Sequence, residues 1–217
     1  PVYSQEDNQR IRDIKVTFDD IGNAKAVASS RYKGLHYDLR GLSYYLNSGE
    51  KDQKDWVLEN TNISNLDLKS FHMENLKASV PTAVVDLTVE VNRYASKTGK
   101  RFYFVPNLMS QVEANYKQVE DRKTRFISEH DLTFIDTVEY SFSSGYQLEY
   151  LPEPVQIESS FGRYETRAEF IQGKLKYYRR LEIFSGEFPP DKYDDFIEFV
   201  EEVESQDKTK VVFTTKT

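Results

Sequence analysis

Apolar and polar residues alternate along most of this chain, and that period predicts strands more often than helices. In IRDIKVTF (11–18), Ile14, Val16 and Phe18 share one face; DDIGN then reads as a turn and AKAVASSRY as the return strand of a hairpin ending at Gly34. The period changes in LHYDLRGLSYYLN, where Leu35, Leu39, Leu42 and Leu46 recur at helical spacing. Gly41 inside that helix costs up to about 1 kcal/mol relative to Ala. EKDQKDWVLEN predicts a second helix carrying Trp56, Val57 and Leu58 inward. Two strands follow, 65–78 with Leu66, Leu68 and Leu76 inward, and 82–94 with Val85, Leu87, Val89 and Val91 inward. Pro81 at their junction suits a turn. SKTGKR is a hairpin tip and FYFVP a further strand.

Residues 111–125 are polar and poor in branched apolar side chains, so they read as a connection. Beyond them, Leu132, Phe134, Val138, Tyr140 and Phe142 keep to one face, with Asp136 the exception. A turn is expected at 143–145, then strands YQLEYLP and VQIESSF with prolines at the bend between them. YETRAEFI and KLKYYRRLEIF face each other across Gln172-Gly173, a strong hairpin signal. Alternation puts Lys174, Lys176 and Tyr178 on one face of that last strand, and Leu175, Tyr177 and Arg179 on the other. Pro189-Pro190 lead into a final helix with Asp191 as N-cap and Tyr193, Phe196, Ile197, Val200 and Val203 as its apolar stripe. VVFTT closes the fold. The sum is a mainly β chain with some α, an α+β fold with antiparallel sheets. Its expected organisation is an α+β lobe over 1–110, a connection over 111–125, and over 126–217 a β-sandwich with a C-terminal helix and strand.

Composition narrows the chemistry. The 217 residues include no cysteine, which removes thiol nucleophiles, disulfides and cysteine metal sites together. A chain this long buries roughly 70% of its unfolded surface and needs no such staple. The net charge of −7 disfavours nucleic acid and anionic surfaces as partners. No apolar run approaches the ~20 residues of a membrane helix. The start at PVYSQEDNQR, without Met, reads as the beginning of a piece of a longer chain. Aromatic residues make up 14%, with 15 Tyr and 14 Phe but one Trp; this favours strands, and it favours core packing over a Trp-based sugar platform.

No set of side chains announces a reaction. His36, His72 and His130 have no partner at metal spacing, and no GxSxG elbow accompanies them. His130, between Glu129 and Asp131, reads as part of an acidic turn. Asp191, Asp194, Asp195, Glu198, Glu201, Glu202 and Glu204 read as the solvated face of the last helix. Asp19–Asn23 lacks the alternating ligands and closing Glu of a calcium loop and reads as a hairpin turn. The mixed basic and aromatic run Lys174–Arg180 is a single strand in an acidic chain. No catalytic, cofactor-binding or metal-binding residue is assigned, and no cofactor is expected.

The order LPEPV (151–155), SSFGRY (159–164), YYRRLEIFSGEFPPDKYDDFIEFVEEV (177–203) and KTKVVFTTK (208–216) resembles the C-terminal domain of unknown function of bacterial transglutaminase-like multidomain proteins. Upstream, IKVTFDDIGNAKAVASSRYKGLHYDLR and VDLTVEVNRYASKTGKRFYFVPNLM also fit that family. The resemblance implies that the Cys–His–Asp chemistry belongs to a catalytic core for which this chain has no matching segment. It further implies an exported, periplasmic or cell-surface protein in which this chain is a non-catalytic accessory or interaction region. Its partner would be the transglutaminase-like catalytic domain of the same polypeptide. The alternative is an independent peptide- or glycan-binding β-sandwich module. Gly162, Tyr164, Pro189, Tyr193 and Phe196, within the resembling segments, have structural readings: a turn, a core aromatic, a helix start and two helix-face anchors.

Overall fold

The computed structural model describes residues 3–142 and 145–215. The turn expected at 143–145 includes residues 143 and 144, which lie outside the described residues.

The N-terminal hairpin forms as its alternation requires, with β1 (Gln9–Phe18) and β2 (Ala24–Lys33) paired antiparallel around the Asp19–Asn23 turn. Asp19 closes that turn by accepting the N–H groups of Ile21 and Asn23. The helix expected across 35–46 is broken instead. α1 (Leu35–Asp38) and α2 (Leu42–Tyr45) are single turns separated by a 3₁₀ turn, because Arg40 (φ 57°) and Gly41 (φ 72°) are left-handed and interrupt the hydrogen-bond ladder. In α3 (Glu50–Glu59), Trp56 and Val57 point inward as expected, but Leu58 is exposed, one step past the buried arc. β3 (Leu66–Leu76) and β4 (Thr82–Val91) then pair, followed by the short β5 (Ser96–Thr98) and β6 (Arg101–Phe104).

Residues 111–125 are irregular apart from a turn at 120–121. Beyond them come β7 (Phe126–Ser128), β8 (Leu132–Ser141), β9 (Tyr146–Tyr150), β10 (Val155–Glu158), and the predicted hairpin of β11 (Gly162–Ile171) and β12 (Lys174–Ile183). Gln172 (φ 52°) and Gly173 (φ 78°) supply the two left-handed positions that the hairpin's tight turn needs. β13 (Gly186–Phe188) precedes α4 (Tyr193–Asp207), and β14 (Val211–Thr215) is the closing strand. Asp191 is not the N-cap of α4: it lies in a 3₁₀ turn, Pro190–Lys192, that extends the helix start by one turn.

These strands make an eight-stranded sheet ordered β10-β11-β12-β8-β1-β2-β4-β3, a four-stranded sheet β5-β6-β14-β9, and the pair β13-β7. Among the described residues all ladders are antiparallel except β1–β8, where Ile14 lies opposite Val138 and Val16 opposite Tyr140. The large sheet therefore runs continuously through strands from both sides of 111–125. The small sheet is likewise shared, with β5 and β6 from one side and β9 and β14 from the other.

One face of the large sheet is covered and the other is wet. Ile14, Val16 and Phe18 of β1, Val85 to Val91 of β4, Val138 and Tyr140 of β8, and Leu175 and Tyr177 of β12 form one core with Leu42, Trp56, Phe102, Phe104 and Phe213. A second core joins Tyr164 and Leu181 to Phe199, Val200 and Val203 of α4. Burying each Phe contributes about 1.5–3 kcal/mol, so the aromatic content lies mainly in packing. Gly162 is not in a turn: a Cβ there would lie 2.2 Å from the Glu182 carbonyl oxygen, so it lets β11 and β12 approach closely.

Gly34 fixes the entry to α1. Its φ is +63°, and a Cβ would lie 2.4 Å from the Asp7 carbonyl oxygen and 2.5 Å from Asn8 Oδ1, which caps the Leu35 N–H. Gly34→Ala should therefore cost roughly 1–3 kcal/mol of strain, and a thermal melt should fall by about 2–4 °C for each of them. An unchanged melt would mean that the 7–8 segment yields without resistance.

Candidate functional site

The covered face of the large sheet carries charge where the alternation calls for apolar side chains. Arg12 on β1, Asp136 on β8 and Arg179 on β12 point the same way as their core neighbours and are at most 2% exposed. Asp207, in the last turn of α4, reaches the same place from the opposite layer. Arg179 grips Asp207 in bidentate fashion, Nε to Oδ1 at 2.6 Å and Nη2 to Oδ2 at 2.8 Å. Tyr164 donates its hydroxyl to Asp207 Oδ1 at 2.7 Å, and the Val112 N–H donates to Oδ2 at 3.0 Å. Arg179 Nη1 lies 3.5 Å from Asp136 Oδ2. On its other oxygen Asp136 accepts from Ser110 Oγ at 2.7 Å and faces Arg10 at 3.9 Å and Arg12 at 4.0 Å. Arg12 also donates to Ser30 Oγ, to the Met109 carbonyl and to Ser110 Oγ.

Burial alone would raise the Asp136 carboxyl, but Arg10, Arg12 and Arg179 outweigh it and hold it below the usual carboxylate range. Burial would likewise lower Arg179, and Asp207 more than reverses that, so its guanidinium stays charged. Burial lowers Arg10 to about 10, with Arg12 adding repulsion and Asp136 opposing it. A carboxylate held this low is a poor base, so the Ser110–Asp136 pair is not an activated nucleophile. The arrangement clamps elements together: β1, β8, β12, α4 and the 107–112 segment all contribute to it.

The histidines are dispersed. His36, in α1, is 3% exposed and meets the Phe134 ring edge-on at 4.8 Å. His72 is exposed on β3, and His130 lies 4.0 Å from Glu129 at the surface. The predicted acidic face of α4 is solvated, apart from a half-buried Glu204, while the helix also buries Phe199 beyond the expected stripe. In the basic run, Lys174 pairs with Glu139 at 2.6 Å, Arg179 is buried and Arg180 pairs with Glu182. Among the described residues, no group of three or more His, Asp or Glu is placed to hold a metal ion, and no helix is long and apolar enough to cross a membrane.

Two cavities flank the charged cluster. An apolar one of about 290 Å³ lies between α4, the β7–β13 pair and the 111–125 segment, walled by Phe126, Phe161, Phe188 and Phe196. Ile127 (61% exposed) and Tyr116 (48% exposed) stand at its rim. The second, about 200 Å³, lies where α1 and α3 meet β1 and β8 and is lined by Arg10, His36, Arg40, Trp56 and Phe134 among others.

No curated protein matches the chain. Residues 100–213 match the family model of a domain of unknown function with solved structure, DUF3858. That span begins just before β6 and takes in Ser110, Asp136, Arg179, Asp207 and the whole apolar cavity, whereas Arg10 and Arg12 lie outside it. Covering more than half of the sequence, this match places the chain in the DUF3858 family.

Proposed function

We propose that this chain is a non-catalytic interaction region that docks another domain at the apolar cavity beside α4. The observation that carries the reading is the cavity itself: four phenylalanines form walls open to solvent, with Ile127 and Tyr116 exposed at the rim. Exposed apolar surface of this kind marks a contact site more often than a solvated one. The buried carboxylates add support, since Asp136 and Asp207 are engaged by guanidinium and hydroxyl groups within the fold. The sequence resemblance makes the docked domain a transglutaminase-like catalytic core of the same polypeptide, at the periplasm or cell surface. A flat sugar platform is a weaker reading. Trp56 is buried with its indole N–H on the Arg40 carbonyl, and Tyr44 meets Tyr45 at 86° rather than lying coplanar with it.

The test is a photo-crosslinker at position 127 in the polypeptide isolated from its native source, with mass spectrometry of the joined peptides. Crosslinks to a Cys- and His-bearing domain are expected, and Ile127→Asp should weaken that contact at least tenfold while leaving the thermal melt of this region unchanged. A native polypeptide without such a domain, or crosslinks that ignore Ile127→Asp, would overturn the reading.

A further inference from the structure

The cavity between α1, α3, β1 and β8 is chemically unlike the apolar one. Of its lining residues Arg10, Tyr32, His36, Leu39, Arg40, Trp56, Asn60 and Phe134, two are arginines and none is acidic. Arg10 stacks its guanidinium over Phe134 at 4.8 Å and donates through Nη2 to Ser110 Oγ at 2.8 Å. Its Nε is buried without a hydrogen-bond partner. His36, 97% buried, also has a partnerless nitrogen, Nε2. Arg40 comes from the opposite wall, where Nη1 donates to Asn60 Oδ1 at 3.2 Å. It is held there by a left-handed backbone (φ 57°) whose carbonyl accepts the Trp56 indole N–H. Such strain in a non-glycine residue concentrates at ligand clamps.

Charge points the same way. Arg12 and Arg179, buried behind this cavity, and the partly exposed Arg10 in its wall face Asp136 and Asp207, an excess of one positive charge, and Arg40 adds a second. Of the six buried side-chain polar atoms without a partner among the described residues, two, Arg10 Nε and His36 Nε2, belong to side chains lining this one cavity.

We propose that this cavity binds a small carboxylate that bears an apolar or aromatic group and a hydrogen-bond donor beside the carboxyl. The carboxylate bridges Arg10 and Arg40, for which a guanidinium fork is the matching donor. The apolar group lies against Trp56, Phe134 and Leu39. The neighbouring N–H or O–H donates to Nε2 of His36, the partnerless nitrogen of a ring that lines the cavity. A volume of about 200 Å³ lies below the roughly 300–1,000 Å³ of pockets that take drug-sized molecules, so the group it receives is small. Both a free 2-hydroxy or N-acyl amino acid and the C-terminal residue of a peptide carry this chemistry.

The experiment is calorimetric titration of the intact chain with N-acetyl-phenylalanine, 2-hydroxy-3-phenylpropanoate and a tripeptide ending in Phe, each beside its amide. The acids should bind, and the amides should bind at least tenfold more weakly. Arg40→Gln, at an exposed position, should weaken the acids at least tenfold while the melt of the unliganded protein stays put. Binding of the free acids alone identifies a small-molecule ligand, whereas binding of the peptide as well identifies a chain terminus. No heat from any acid, equal affinity for acid and amide, or indifference to Arg40→Gln overturns the proposal. Because the apolar cavity is untouched by these variants, failure here leaves the docking reading standing, and the reverse holds too.

Discussion

Replacing Asp207 by Ala should remove about 3–5 kcal/mol of folding stability, the range for breaking a buried ion pair from one side. The carboxylate takes both arms of Arg179, the Tyr164 hydroxyl and the Val112 N–H, and all of these lose their acceptor together. Without it, Asp136 is the one buried carboxylate facing Arg10, Arg12 and Arg179. Domains typically hold about 5–15 kcal/mol in reserve, so the variant should sit near the edge of folding. Urea unfolding followed by Trp56 fluorescence and circular dichroism reads the change in midpoint. Asp207→Asn, which retains one acceptor, should lose less. The double variant Arg179→Met with Asp207→Leu should regain most of the loss, since the desolvation of two charges disappears along with their attraction. A loss below about 1 kcal/mol for Asp207→Ala would mean that water reaches Arg179, and that the clamp is weaker than its geometry implies.

That clamp also explains what was legible in the sequence and what was not. The β11–β12 hairpin could be placed residue by residue because Gln172-Gly173 fixes its register, and the phase of the hairpin sends Arg179 inward beside Leu175 and Tyr177. Asp136 stood out as a break in the alternation of β8. Both observations were available, but the partners of Arg179, Asp136 at 43 residues and Asp207 at 28, were not, because pairing across layers leaves no local pattern. Arg12 is in phase with Ile14, Val16 and Phe18, and Asp207 follows Val203 by one helical turn. Four inward-phase charges, two of each sign, were the signal. The helix expected across 35–46 failed for a different reason. Leucine spacing marked the buried side, while the backbone at Arg40–Gly41 turned left-handed and broke the helix, placing Arg40 at the mouth of a cavity.

The break between lobes shows the same limit. The 111–125 stretch is polar and irregular, as its composition suggested, yet it is tied down at Val112 by Asp207 and at Tyr116 by the Phe196 ring, 4.9 Å away. The parallel β1–β8 ladder joins strands more than a hundred residues apart, and a parallel pair carries no turn motif that a sequence could display. Arg10 and Arg12 reach across that ladder from outside the DUF3858 match to complete charges inside it. The segment before residue 100 thus contributes to the core of the matched domain itself.

Stability should fall as the pH drops from about 6.5 to about 4, by up to about 3 kcal/mol, and His36 should account for most of that slope. Burial is the first cause of its low folded pKa, about 4, and the positive charge of Arg10 is the second. The groups around it are Arg10 from β1, the Phe134 ring and Thr133 backbone from β8, Trp56 from α3, Asn60 just past its end, and Arg40 from its own segment. No carboxylate lines the cavity to favour the imidazolium. In the unfolded chain His36 returns to 6.5 and binds a proton that the folded form refuses. Its contribution is therefore fully present above 6.5 and is lost progressively as the pH approaches 4. Asp136 acts in a different window, because its depressed carboxyl contributes above the ordinary carboxylate range and fails only below it. Urea midpoints at half-unit steps separate the two: His36→Phe should flatten the curve between 6.5 and 4 and leave the acid limb in place. A curve that keeps its slope in the variant would assign the effect elsewhere.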